Sequence, residues 1–538
     1  MRTSRLSTRL EFAVCVALTL FATAGDARAS TVEAEIQARI ETIRAGGALA
    51  IGGDAISSRT VLPAFYEARA FAPAWNDPAT RADLLRAVVD IEADGLDPAT
   101  YHRAELERAF ASEPASPRDH AERDLLATDA LIRLGYHLLR GRVDPQSLDA
   151  NWNFTGNLDG IEPVKLLESA IASGRLYDAI EGQKPRHPLY LALKTALADY
   201  RRLAANGGWT TVPEIGRLDV GAADPRIPAL RRRLAVTGEL PAPASTDSDL
   251  YDAEVVAAVR AFQRTHGLTD DGVAGARTVA AMNVPVAQRI DQIRLNLERG
   301  RWVLRGLEDD FVAVNIAAFR VYVVQGGKPV WTTRAVVGKY HHESPVFKAS
   351  MLYIVLNPTW TVPPSIAAGE LLPKLRKDRG YLDSVHMELL DSSGAAVDPA
   401  TADIEGAAGR RYTFRQQPGP WNALGQVKFM FPNEHNVYLH DTPSRDLFSR
   451  EVRTFSHGCI RVENPLQLAE VLLAGDRAWD RAVIDATIAA GDTTTVSLER
   501  PLPVLILYWT AWVNPEGELK FYDDVYGRDA RVLKELGS

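Results

Sequence analysis

Cysteine is almost absent, with only Cys15 and Cys459 in 538 residues. A chain so poor in thiols has no disulfide framework and no cysteine-built metal site. An excess of basic charge is missing as well. Its 61 Lys and Arg are outnumbered by 69 Asp and Glu, giving a net charge of −8, and this argues against the basic footprint of a nucleic-acid binder. Beyond the N-terminal stretch, no apolar run approaches the length that spanning a bilayer demands. What is present, 46% apolar and 24% charged residues, is ordinary for a globular protein. The length calls for two to four domains rather than one core.

The first residues read as an export signal. Arg2, Arg5 and Arg9 precede an apolar run of 13 residues from Phe12 to Ala24, and Ala27-Arg28-Ala29 supplies a small-x-small cleavage pattern. Residues 1–29 are therefore expected to be removed as a signal peptide. The expected location is periplasmic, with membrane contact only during export. Loss of Cys15 leaves Cys459 as a lone thiol in an oxidising compartment, and an inert buried cysteine or a reactive one would each account for it. Its neighbours decide between the two.

Residues 30–220 carry a helical pattern. Leu84-Leu85-Ala87-Val88 and Leu125-Leu126-Ala130-Leu134 place apolar residues three and four apart, and no ligand cluster appears, so support is the expected task. Residues 221–284 read as a small three-helix unit. It comprises a first helix with Leu230 and Leu234, a second with Val255, Val259 and Phe262 behind the N-cap candidate Asp252, a turn-rich loop through Gly272, and a short third helix from Arg277 to Met282. Residues 285–308 suggest a linking amphipathic helix. From residue 309 to 500 the period changes to that of strands, as in Phe311 to Ile316 and Phe319 to Val324, with Gly326-Gly327 as a hairpin turn. An insertion at about 365–415 interrupts this pattern with a helix around Leu371, Leu372 and Leu375. A Gly/Ala-rich piece follows, from Gly394 to Gly409. An interruption of that size reads as a lid. Residues 501–538 are expected to be a packing segment, with Pro503 to Val513 as a buried strand or tail. The expected class is α+β and multidomain.

The chemistry concentrates in Ser456-His457-Gly458-Cys459-Ile460-Arg461, preceded by Tyr438-Leu439-His440-Asp441. A thiol is nucleophilic as its thiolate, and an imidazole beside it can take the proton. His440 lies nineteen residues before Cys459, far enough to fold back and meet it across a sheet. His457, two residues away, would share a face with Cys459 in an extended segment. Gly458 permits the close backbone approach that amide donors to an oxyanion need, and Arg461 suits a substrate carboxylate. Trp421 and Asn422, with Trp360, are candidates for lining a substrate groove. His341, His342, His386 and His435 are read as ordinary structural histidines, and no metal or organic cofactor is expected.

The His…Ser-His-Gly-Cys pattern resembles the L,D-transpeptidase catalytic domain of the YkuD type. The unit with "AVRAFQRTHGL" and "DGVAG" resembles the peptidoglycan-binding domain. Together with "RQQPGPWNALGQVKFMFPN" and "LYWTAWV", the arrangement is similar to the large Gram-negative murein transpeptidases of the YcbB type. The resemblance implies Cys459 as the acylated nucleophile and His440 as its base. Ser456, His457 and Gly458 would line the acyl site, with the amides of Gly458 and Cys459 as oxyanion donors. It implies that the carbonyl of Asp441, not its carboxylate, orients the imidazole. The implied partners are a tetrapeptide donor stem and an acceptor stem of peptidoglycan, with carbapenems as covalent inhibitors. The implied reaction joins third-position diaminopimelate residues and releases D-alanine. An L,D-carboxypeptidase or other peptidoglycan hydrolase would use the same pair, and a non-catalytic wall-binding scaffold would need neither residue.

Overall fold

Helices fill the first half of the chain, where apolar residues recur at helical spacing, and strands dominate the second. The computed structural model describes residues 30–148, 152–154, 160–241, 246–405, 411–514 and 516–537. The expected signal peptide, Cys15 and the end of the Gly/Ala-rich piece (406–409) lie outside them.

The longest helix of the N-terminal unit, α1 (Pro117–Arg140), begins where the Ser116 hydroxyl accepts the Asp119 amide and ends at Gly141, whose φ is +85°. Its inner face packs apolar residues, yet it also buries Asp124. That carboxylate survives in the core because it accepts the Tyr66 hydroxyl at 2.7 Å and the amides of Ala74 and Trp75 at 2.8 and 2.9 Å. The three-helix unit follows the expected plan, with α3 (Ile227–Val236), α4 (Ala253–Thr265) and α5 (Ala276–Met282) around a separate apolar core. The side chain of Asp252 accepts the Val255 amide and so caps α4 as expected.

The linking helix α6 (Val286–Val303) departs from the amphipathic expectation, because it is buried on every side from Leu295 to Val303. It runs between α2 (Pro188–Ala205) and the C-terminal half of the chain, so water reaches neither flank. Its charges are paired instead. Arg301 donates Nε and Nη2 to one oxygen of Glu298. The other Glu298 oxygen accepts the Val143 amide at 2.7 Å, and Arg301 Nη1 reaches the Asp94 carbonyl and the Tyr190 hydroxyl. On the opposite side Gln292 donates to the carbonyls of Thr510 and Tyr522, and Arg299 pairs with Asp529 of α7 (Asp529–Leu536).

The C-terminal half is built on a nine-stranded sheet. Its strands are β1 (Phe311–Asn315), β2 (Arg320–Gln325), β3 (Lys328–Gly338), β4 (Phe347–Leu356), β9 (Val427–Met430), β10 (Leu439–His440), β11 (Thr454–Ser456), β12 (Ile460–Val462) and β13 (Thr494–Leu507). The order β11-β3-β12-β10-β9-β4-β13-β1-β2 closes on itself, because β2 also pairs with β3 through the Gly326-Gly327 turn. Closure leaves no long free edge. Strand β13 crosses residue 500 and forms the middle of the sheet between β4 and β1, with a register shift between Ser497 and Leu502. The expected boundary at 500 thus falls inside a strand. The polar Glu499-Arg500 stretch marks an irregularity in that strand and not an end.

The insertion is a small folded unit. A helical run (Pro364–Ile366, a π-helical turn Ala367–Leu371, and Leu372–Lys377) packs on a sheet of β5 (Trp360–Thr361), β6 (Met387–Leu390), β7 (Ala396–Val397) and β8 (Thr413–Gln416). Leu371, Leu375, Leu382, Ile404 and Phe414 form its own core.

Replacing Glu298 by Ala would leave Arg301 as an unpaired buried charge and free the Val143 amide. The expected loss is about 3–5 kcal/mol of stability, read as a lowered denaturation midpoint. A midpoint within error of wild type would contradict this account of α6.

Candidate active site

Three neighbouring strands of the closed sheet build the site. Strand β10 pairs antiparallel with β9, setting His440 opposite Lys428, and parallel with β12, setting His440 opposite Arg461. Directly opposed residues point to one face, so Lys428, His440 and Arg461 form a row. Cys459, two residues before Arg461, shares that side of its chain. The ladder extends one step further, through the Ile460 amide to the Tyr438 carbonyl at 3.1 Å. His440 and Cys459 line the same cleft.

His440 is buried, and its Nδ1 lies 2.5 Å from the Asp441 carbonyl. A carbonyl only accepts, so this nitrogen carries the proton and Nε2 is left unprotonated in the neutral ring. Burial, followed by the positive charge of Arg461, pulls the His440 pKa down to about 3, and Lys428 adds to the effect. The Asp441 carboxylate is used elsewhere, accepting the amides of Gln426 and Thr442 and pairing with Arg445.

Cys459 is a free, half-buried cysteine whose thiol approaches the Asn436 carbonyl at 3.7 Å. Burial pushes its pKa up, and contact with Tyr438 together with the charges of Lys428 and Arg461 offsets only part of that. Both shifts favour the uncharged forms, thiol and imidazole. Tyr438 is a neighbour that the sequence did not single out. Its hydroxyl lies beside the sulfur and is held protonated by burial and by Cys459. Its ring carries Lys428 Nζ at 3.9 Å and meets His440 edge-on at 5.6 Å.

The turn before Cys459 is locked by Ser456. Its hydroxyl donates to the Cys459 carbonyl at 2.5 Å and accepts the Gly458 amide at 3.1 Å. Ser456 lines the cleft. The Gly458 amide, expected to face an oxyanion, is instead committed to this bracket. Gly458 has φ +112°, a conformation that suits glycine, and its carbonyl accepts Ser344 Oγ at 2.7 Å. His457 reaches toward the insertion, with Nε2 at 2.7 Å from Glu370 and 3.1 Å from Lys339 Nζ. Burial, then Lys339, lowers its pKa.

These groups face a cleft of about 1140 Å³ between the closed sheet and the insertion. Trp360, Glu370, Lys428 and Tyr438 line it, as do His342 and His435, which were expected to be merely structural. Trp421 and Asn422 are corrections. Asn422 is fully buried, its amide donating to the carbonyls of Pro358 and Gln417 and its oxygen accepting the Leu424 amide. Trp421 is exposed but stacks on His386 at 3.9 Å, off the cleft walls. Among the described residues no group of three His, Cys, Asp or Glu is placed to hold a metal, and no helix is long and apolar enough to cross a membrane.

Comparison with known proteins matches the three parts separately. A family model described as "L,D-transpeptidase catalytic domain" matches residues 309–484, "Scaffold domain" matches 60–197, and "Putative peptidoglycan binding domain" matches 223–282. A Haemophilus influenzae protein named "Putative L,D-transpeptidase" is 34% identical over 222 residues. The match covers 41% of this chain and 45% of that relative, so it spans under half the length of either. Two solved L,D-transpeptidases overlay only slightly. The one from Stackebrandtia nassauensis has a TM-score of 0.20 at 12% identity, covering 55% of this chain and 96% of its own. The one from Xylanimonas cellulosilytica has a TM-score of 0.18 at 16% identity, covering 55% and 99%. Residues 309–484 of this α+β chain therefore match an L,D-transpeptidase catalytic domain, and the segments before them match a scaffold domain and a peptidoglycan-binding domain.

Proposed function

We propose that the chain is a peptidoglycan L,D-transpeptidase that works through a thioester on Cys459. The observation that carries this reading is the two-strand pairing that seats His440, its Nδ1 proton held by the Asp441 carbonyl, beside the Cys459 turn in an open cleft. A tetrapeptide donor would lie between sheet and insertion with the carbonyl of its third, diaminopimelate-type residue over the sulfur. His440 Nε2 takes the thiol proton as sulfur attacks. The Cys459 amide meets the oxyanion, since the Gly458 amide is engaged by Ser456. Collapse breaks the peptide bond, and the imidazolium returns the proton to the departing D-alanine amine. An amine of a second stem then loses a proton to His440 and displaces the sulfur, giving a third-to-third-residue cross-link and free thiol. The insertion acts as a cap over the bound stems, and the three-helix unit holds the chain to the wall. Export to the periplasm and acylation of Cys459 by carbapenems follow from the same reading.

Two measurements test it. Mass spectrometry of mature protein with a disaccharide-tetrapeptide is expected to show a cross-linked dimer lacking one D-alanine, absent with Cys459→Ala. A trimmed monomer alone would make water the acceptor and the protein a carboxypeptidase. No product dependent on Cys459 would leave the wall-binding scaffold. The second concerns the resting pair. With the imidazole pKa held low and the thiol pKa raised, alkylation of Cys459 by iodoacetamide should climb only on the alkaline side, above about pH 9. A reactive plateau from about pH 4 to 8, the mark of a thiolate–imidazolium pair, would contradict the neutral pair.

A further inference from the structure

Two cations in the cleft have no carboxylate beside them. Among the described residues neither Lys428 nor Arg461 forms an ion pair, and the Arg461 Nε is buried without a hydrogen-bond partner. The carboxylates nearby are occupied, Glu370 by His457 and Asp441 by Arg445 and two backbone amides. Yet both cations line the cleft, on the strands to either side of His440. Partly buried positive charges left unpaired beside a nucleophile are costly unless an anion arrives to share the site.

We propose that Lys428 and Arg461 form a two-cation cradle for a carboxylate of the donor stem, seated next to the Cys459 sulfur. The assignment of a donor stem rests on the transpeptidase reading, but the cradle itself rests on the two unpaired charges. Arg461 offers a planar fork and Lys428 a point charge held over the Tyr438 ring. The carboxylate comes either from the terminus of the stem or from the side chain of its third residue. Lodged there, it also offsets the two charges that add to burial in lowering the His440 pKa, so the base gains proton affinity as the donor is seated.

The cradle can be tested without knowing the substrate. Cys459 of the full chain is alkylated at fixed pH and low salt with iodoacetate, an anion, and with iodoacetamide, its neutral analogue. The rate ratio is referred to that of free cysteine. Wild type is expected to favour iodoacetate by about ten-fold over the reference, on the scale that two nearby charges impose. Lys428→Gln should cut the ratio to about three-fold, because Arg461 remains, and Lys428→Arg should restore it. A wild-type ratio equal to that of free cysteine, or a ratio unmoved by Lys428→Gln, overturns the proposal. The donor arm uses tetrapeptides amidated at the terminus or at the third-residue side chain. Amidating the carboxylate that occupies the cradle should slow Cys459 acylation about ten-fold in wild type, and the difference should collapse in Lys428→Gln. Acylation indifferent to both amidations overturns the proposal. An iodoacetate preference with no acylation by any donor would sustain the cradle while removing the transpeptidase reading.

Discussion

Strand β10 is only two residues long, yet the chemistry of the site depends on its pairing. Its antiparallel partner β9 brings Lys428 to His440, and its parallel partner β12 brings Arg461, so one register decides three neighbours. A slip of a single residue would turn the imidazole to the other face and send Leu439 into the cleft. Two residues of pairing cannot hold such a register unaided. The closed sheet holds it for them, because every displacement of β10 must be passed round a ring that has no open end. Where β10 stops, the chain bends and the Asp441 carbonyl comes round to Nδ1. The strand end therefore supplies the orienting group without a carboxylate.

Polar groups around this row are satisfied in pairs, with little to spare. Ser456 uses its hydroxyl twice, as donor and acceptor, to fix the turn before Cys459. His457 is in the opposite position. Its Nε2 stands within reach of both an ammonium, which only donates, and a carboxylate, which only accepts. One nitrogen cannot serve both at once. Contact between cap and motif through Glu370 therefore competes with contact to Lys339 inside the sheet unit. Farther away, the buried Glu298–Arg301 pair fastens α6 to the helical unit by backbone and hydroxyl contacts, while Gln292 and Arg299 hold it to the C-terminal half.

The thiol, the histidine and their interval were legible in the sequence because they form one short, patterned motif. Helix caps such as Asp252 and the Gly326-Gly327 turn were legible because local chemistry alone decides them. The failures share a different cause. Lys428 sits in Val427-Lys428-Phe429, where alternation says only that it leaves the apolar face; its pairing with His440 is a long-range fact. Asn422 next to Trp421 looks like a surface polar residue until the backbone carbonyls that surround its amide are seen. The insertion read as loop and helix because its strands are two to four residues long, and two of their three pairings join residues more than twenty positions apart. The end placed at residue 500 falls in a strand that a charged pair interrupts without terminating.

The upward push of burial on the Cys459 pKa has a consequence beyond catalysis. Peroxides and foreign disulfides react with thiolates, and a thiol kept protonated by burial is a slow target for both. In the exported protein proposed here, the mature chain holds no second cysteine to reverse such damage by forming an internal disulfide. Holding the proton on sulfur until an acyl donor fills the cleft would let a single irreplaceable thiol persist among oxidants, its reactivity released by the substrate and otherwise withheld.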